Sequence, residues 1–135
     1  MDYEHLADTR RIQEYVTNMR PAFNKRAVFS DETENYRTPA EPEPGDVVNI
    51  RIRTKSNNVD FVYLVAGNLR QRMKLLGTKD GFDYYGTDIK LGAQSIRYFF
   101  EVISGKIQCY YNKMGITKEI DEHYSFGIVP GFHTP

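Results

Sequence analysis

The chain has 135 residues, and its 18 lysines and arginines balance 18 aspartates and glutamates, so the formal net charge is zero. That length supports one domain with a core that needs no staples, and the even charge removes any overall drive toward a polyanion, which argues against nucleic acid as a partner. The single cysteine, Cys109, excludes an internal disulfide and a cysteine-built zinc site.

From Tyr3 to Met19 the apolar residues Leu6, Ile12, Val16 and Met19 recur mainly at three- and four-residue spacing with Tyr15 beside them, which predicts an amphipathic helix. Asp2 serves as its N-cap, and Pro21 disfavours the helical conformation at Arg20 and ends it. This opening has no apolar h-region, so it is not a signal peptide, and no run reaches transmembrane length; a cytoplasmic protein with no membrane partner is expected.

No helical period returns after this point. AVFSD around Phe29 is a short strand candidate, and DETENYRTPAEPEPGD is read as an irregular, solvated connection because its three prolines would break an interior strand. VVNIRIRT alternates Val48, Ile50 and Ile52 against Asn49, Arg51 and Arg53, the pattern of a half-buried strand. VDFVYLVAG is nearly continuous in apolar residues and predicts a central strand. RQRMKLLG and FDYYGTDIKL flank the turn TKDG. SIRYFFEVI, KIQCYYN and HYSFGIV complete the set. Seven or more short strands joined by tight turns predict an all-β antiparallel sandwich to which the front helix is added. Ile50, Ile52, Val62, Leu64, Ile96, Tyr98 and Phe100 are its expected core. The expected organisation is a helical extension over 1–24, the sandwich over 25–129 and the start of a linker over 130–135.

Catalytic and metal-binding signatures are missing from the sequence. There is no glycine-rich phosphate loop, nucleophile elbow or His-Glu-x-x-His, and His5, His123 and His133 lie far apart without ligand spacing. No catalytic residue, metal ligand or cofactor is therefore assigned. Glu119, Asp121 and Glu122 fall in one turn, where acids are solvated rather than opposed across a cleft. Asn57, Asn58 and Asp60 lack the spacing of a calcium loop and read as a turn.

Tyrosine is abundant: ten, with eight phenylalanines and no tryptophan. Tyr84–Tyr85 and Tyr110–Tyr111 are strand neighbours, so each pair places one ring inward and one outward. Tyr63, Tyr84 and Tyr110 have the outward parity. Such rings either stack on the apolar face of a sugar while offering it a hydroxyl, or simply pack against cross-strand neighbours.

NIRIRTKSNNVDFVYLVAGN, FDYYGTDIKLGAQSIRYFFEVISGKIQCYYNKMGI and the exit FGIVPGFHTP together resemble the N-terminal domain of glycoside hydrolase family 13 enzymes of the neopullulanase, cyclomaltodextrinase and maltogenic amylase type, from Ala27 to Pro135. The resemblance implies an immunoglobulin-like sandwich classed with the family 34 carbohydrate-binding modules. It also implies a catalytic barrel after the prolyl exit, carrying the chemistry that this chain lacks. Its implied partners are that barrel and an α-glucan such as starch, maltodextrin or pullulan, bound weakly with Tyr63, Tyr84 and Tyr110 as candidates. The alternative role is a structural or dimerisation domain that packs on the barrel or on a second subunit.

Overall fold

The computed structural model describes residues 22–133. The helix expected over Tyr3–Met19 lies outside the described residues. Within them ten strands form two antiparallel sheets, and the only helical elements among the described residues are single-turn 3-10 segments at Lys25–Ala27 and Glu122–Tyr124.

The first sheet runs β1 (Arg37–Thr38), β2 (Val47–Lys55), β6 (Phe82–Lys90), β5 (Lys74–Lys79). The second runs β4 (Leu69–Arg72), β3 (Phe61–Ala66), β7 (Ile96–Ser104), β8 (Ile107–Asn112), β9 (Gly115–Thr117), with β10 (Phe126–Ile128) also on β7. VDFVYLVAG is thus an interior strand, as its apolar run requires. The turn TKDG closes the β5–β6 hairpin with Asp80 and Gly81 both at positive φ, the backbone hand that matches strand twist.

Alternation sets the faces. Ile50, Ile52, Val62, Leu64, Tyr98 and Phe100 are buried between the sheets, and Ile96 packs against that cluster from its margin. Tyr85 and Tyr111 point inward as their parity requires. Tyr98, Phe100, Tyr111 and Phe126 form an aromatic centre with ring centroids 5.3–6.2 Å apart. Each such side chain contributes roughly 1.5–3 kcal/mol by leaving water.

The connections differ from the sequence reading in three places. RQRMKLLG is two strands, because the chain turns at Met73 and passes from the second sheet to the first. The Met73 side chain is buried and its N–H donates to the Val62 carbonyl. Phe29 makes a single bridge to Arg53 rather than a full strand. The 31–46 connection contains the edge strand β1 and the buried Arg37. Its Nη1 donates to the Gly127 carbonyl (2.9 Å) and Tyr98 hydroxyl (3.3 Å), while Nε and Nη2 reach the Ala40 carbonyl and Glu32 pairs with it at 3.2 Å. The connection is therefore tied to both β7 and β10.

Candidate functional site

Cross-strand register determines which outward side chains meet. On the second sheet one rung reads Arg72, Tyr63, Glu101, Tyr110, Thr117 and the next reads Arg70, Val65, Phe99. Tyr63 and Tyr110 therefore share a face, on either side of Glu101. That face is covered by its own side chains. The Arg70 guanidinium lies 3.8 Å from the Tyr63 ring centroid and holds Glu101 through Nη2 (2.6 Å) and Nε (3.3 Å). The hydrogen bond that Arg70 donates to Glu101, more than the charge beside it, keeps Arg70 more firmly protonated than usual. Glu101 is 6% exposed and Phe99 8%, although both have outward parity. Phe99 meets Tyr110 edge-on at 5.9 Å and shares a cleft with Val65, Ile120, Glu122 and Ser125, so the segment after β9 shields it.

Tyr84 lies on the opposite side of the molecule. Its rung on the first sheet is Arg53, Tyr84, Gly77, between Lys55, Phe82, Lys79 and Arg51, Gly86, Lys74. The three tyrosines singled out by parity thus occupy two faces separated by the core. Arg53 stacks between Phe29 (5.5 Å) and Phe82 (4.7 Å), and its buried Nε has no hydrogen-bond partner. Leu76, at a bulge in β5, lies over Gly86, where a Cβ would stand 2.7 Å from its Cδ1. Glycine there lets the bulge close onto the sheet.

The buried polar groups belong to the frame. Burial pushes the Tyr98 hydroxyl up to about 12 against the opposing pull of Arg37. Burial also raises Tyr36, Tyr111 and Cys109. Burial works to raise the Glu32 carboxyl, but the Gly127 N–H, Lys113 and Arg37 together hold it below the ordinary range. Asp121 caps the second 3-10 turn by accepting from the His123 N–H, which accounts for one acid of the 119–122 group. Among the described residues no three His, Cys, Asp or Glu gather to hold a metal, and no helix is long and apolar enough to cross a membrane.

Outward parity could be read from the sequence. Arg53, Phe82, Arg70 and Glu101 were missed as site residues because their roles depend on cross-strand neighbours that alternation does not reveal.

Two antiparallel sheets packed on a shared core define an immunoglobulin-like module. The chain belongs to the alpha amylase N-terminal ig-like domain family, which it matches over residues 23–130. It is 29% identical over 119 residues to a cyclomaltodextrinase of Thermoanaerobacter pseudethanolicus, covering 82% of this chain and 20% of that protein. The chain thus spans about a fifth of the length of that relative. Among solved structures, a cyclomaltodextrinase superposes with a TM-score of 0.66 at 22% identity, over 77% of this chain and 19% of its own. The maltogenic amylase from S. marinus gives 0.61 at 13% identity, over 78% and 15%. The type III pullulan hydrolase from Thermococcus kodakarensis gives 0.53 at 19% identity, over 78% and 17%.

Proposed function

We propose that this chain is the N-terminal module of a glycoside hydrolase acting on α-glucosidic bonds, and that it weakly holds an α-glucan for a catalytic barrel that follows. In this reading 25–129 is the module, 1–24 a helical extension and 130–135 the start of the linker. The Phe82–Tyr84 strip on β6 carries the proposal: Tyr84 is half-exposed, and Phe82 stands two residues away on the same outer face. A sugar ring stacks on such rings through its C–H face, and the phenol hydroxyl serves its hydroxyls. An exposed platform must also order a flexible glucan, so the dissociation constant should lie at about millimolar to tens of micromolar.

Titrating the chain with maltoheptaose or β-cyclodextrin while following backbone amide shifts tests this. Shifts along β6 that vanish in Tyr84→Ala support it; their absence at about ten millimolar sugar, well above such a constant, ends it.

A second reading, as a packing or dimerisation domain, draws on the other face. There Arg70 already occupies the Tyr63 ring, which favours a protein surface over a sugar as its neighbour. The exposed Val129 and Phe132 lie near the chain exit and offer further contact area. Sedimentation of the chain as a monomer at high concentration would remove the dimer form of this reading.

A further inference from the structure

The formal neutrality of the chain hides a separation of charge. On the outer face of the first sheet three successive rungs carry Lys55, Phe82 and Lys79, then Arg53, Tyr84 and Gly77, then Arg51, Gly86 and Lys74. Five cations thus surround a strip of two aromatic rings. None of them pairs with a carboxylate among the described residues. The Arg51 guanidinium is hydrogen-bonded only to neutral oxygens, those of the Asn35 and Glu34 carbonyls, the Asn49 amide and the Thr38 hydroxyl. Arg53 is stacked on Phe29 and Phe82, which holds its plane without neutralising it.

Among the described residues none of the nearby acids forms an ion pair with these cations. Asp83 has the opposite parity, and its oxygens accept from Ser56, Asn57 and Thr78. Asp88 lies a rung beyond and accepts from Asn49. Asp80 lies in the β5–β6 turn, next to Lys79. Lys55, Arg53 and Arg51 are successive same-face residues of β2, and Lys79 and Lys74 stand on β5 about 10 Å away across β6. Like charges this close repel, and a neutral ligand would leave that repulsion in place. A ligand that stacks on the rings and also brings negative charge relieves it.

We propose that this face takes an α-glucan bearing phosphate monoesters, with sugar rings on Phe82 and Tyr84 and phosphate between the flanking lysines and Arg53. The inference rests on the glucan-binding reading above and names the chemical class of glucan. A phosphate carries up to two negative charges and three acceptor oxygens. Lys55 and Lys79 flank Phe82 from the two adjacent strands, each about 5 Å away in the hydrogen-bonding direction, so a monoester on a stacked sugar comes within reach of one or both.

The test is an amide-shift titration of the chain with maltoheptaose, a maltoheptaose phosphate monoester, inorganic phosphate and a single-stranded oligothymidylate. The expected result is shifts at Arg53, Lys55, Lys79 and Tyr84 with both sugars, and roughly tenfold tighter binding of the phosphorylated one. That gain should disappear in a Lys55→Gln, Lys79→Gln double variant and at about 0.5 M salt, where screening is nearly complete. Both lysines are exposed, and an unchanged spectrum elsewhere confirms that the variant is folded. If the neutral sugar binds here and phosphate adds nothing, the inference falls while the glucan reading stands. If neither sugar binds, both fall. If inorganic phosphate or the oligothymidylate binds as tightly as the phosphorylated sugar, the face is a general anion surface and the inference is overturned.

Discussion

The two outer faces of the sandwich are built from similar residues and end in opposite states. Each carries two or more aromatics beside arginine. On the second sheet Arg70 lies on Tyr63 and is neutralised by Glu101, and Phe99 is covered by the chain that follows β9. On the first sheet Arg53 lies between Phe29 and Phe82 with no carboxylate partner among the described residues, and lysines stand around Tyr84. The difference comes from one acid at the middle of a rung and one loop. The second face keeps a stacked cation of its own in Arg72, on the Phe61 ring, whereas the first gathers five around its rings and so has more charge to offer a ligand.

Phe100 belongs to neither face and sets the energy scale for both. It is fully buried, so Phe100→Ala should cost about 3–5 kcal/mol in urea unfolding. A loss within about half a kcal/mol would mean that the strand faces are assigned wrongly, because core aromatics do not go that cheaply.

The comparison itself is tested by truncating one ring on each side. Phe99→Ala, on the shielded face, should cost about 3 kcal/mol, as a nearly buried aromatic does. Phe82→Ala, on the open face, should cost only about 1 kcal/mol, from partial burial and the lost arginine contact. Equal losses would erase the distinction between a covered and an open face.

The frame between the faces has a pH signature. The Tyr98 hydroxyl is raised from 10.0 to about 12 by burial, so the folded state holds this proton more tightly than the unfolded state. Its contribution is fully present below about pH 10 and is lost as pH rises through 12, on the order of 2–3 kcal/mol. Tyr36, Tyr111 and Cys109, also raised by burial, act in the same direction. Alkaline unfolding that is no easier in wild type than in Tyr98→Phe would contradict this.

The smallest effect is expected at His133. His133 contacts Glu43 through Nε2 and Glu41 through Nδ1 (3.2 Å), and these bonds, that of Glu43 first, raise its pKa. Proton NMR should show His133 titrating above a free histidine, and Glu41→Gln with Glu43→Gln should return it toward the ordinary value. An unshifted His133 in the wild type would show that the segment around it is not held at the 41–43 loop.

Much of the fold was legible because strand alternation is a local property. Ile50, Ile52, Val62, Leu64, Tyr98 and Phe100 could be placed inward, and Tyr85 and Tyr111 separated from Tyr84 and Tyr110, by parity alone. The break of RQRMKLLG at Met73 was not legible, since an apolar residue between two strands looks like one inside a strand. The short β9 was missed as well: Gly115–Thr117 carries too few residues for a period, and it forms because β8 offers it an edge. For the candidate site, parity identified Tyr63, Tyr84 and Tyr110 as outward, but which face each joined depended on sheet order.

By itself the sequence determined the class of fold and the inward or outward sense of nearly every strand residue, because both follow from a two-residue period along one chain segment. The tertiary structure alone decided that Tyr63 and Tyr110 flank a buried Glu101 held by Arg70 while Tyr84 faces the other way among unpaired cations. The reason is physical: a side chain's charge and surface become available or spent only when register brings a particular neighbour from another strand within reach, and register is a property of strand pairing rather than of any one strand.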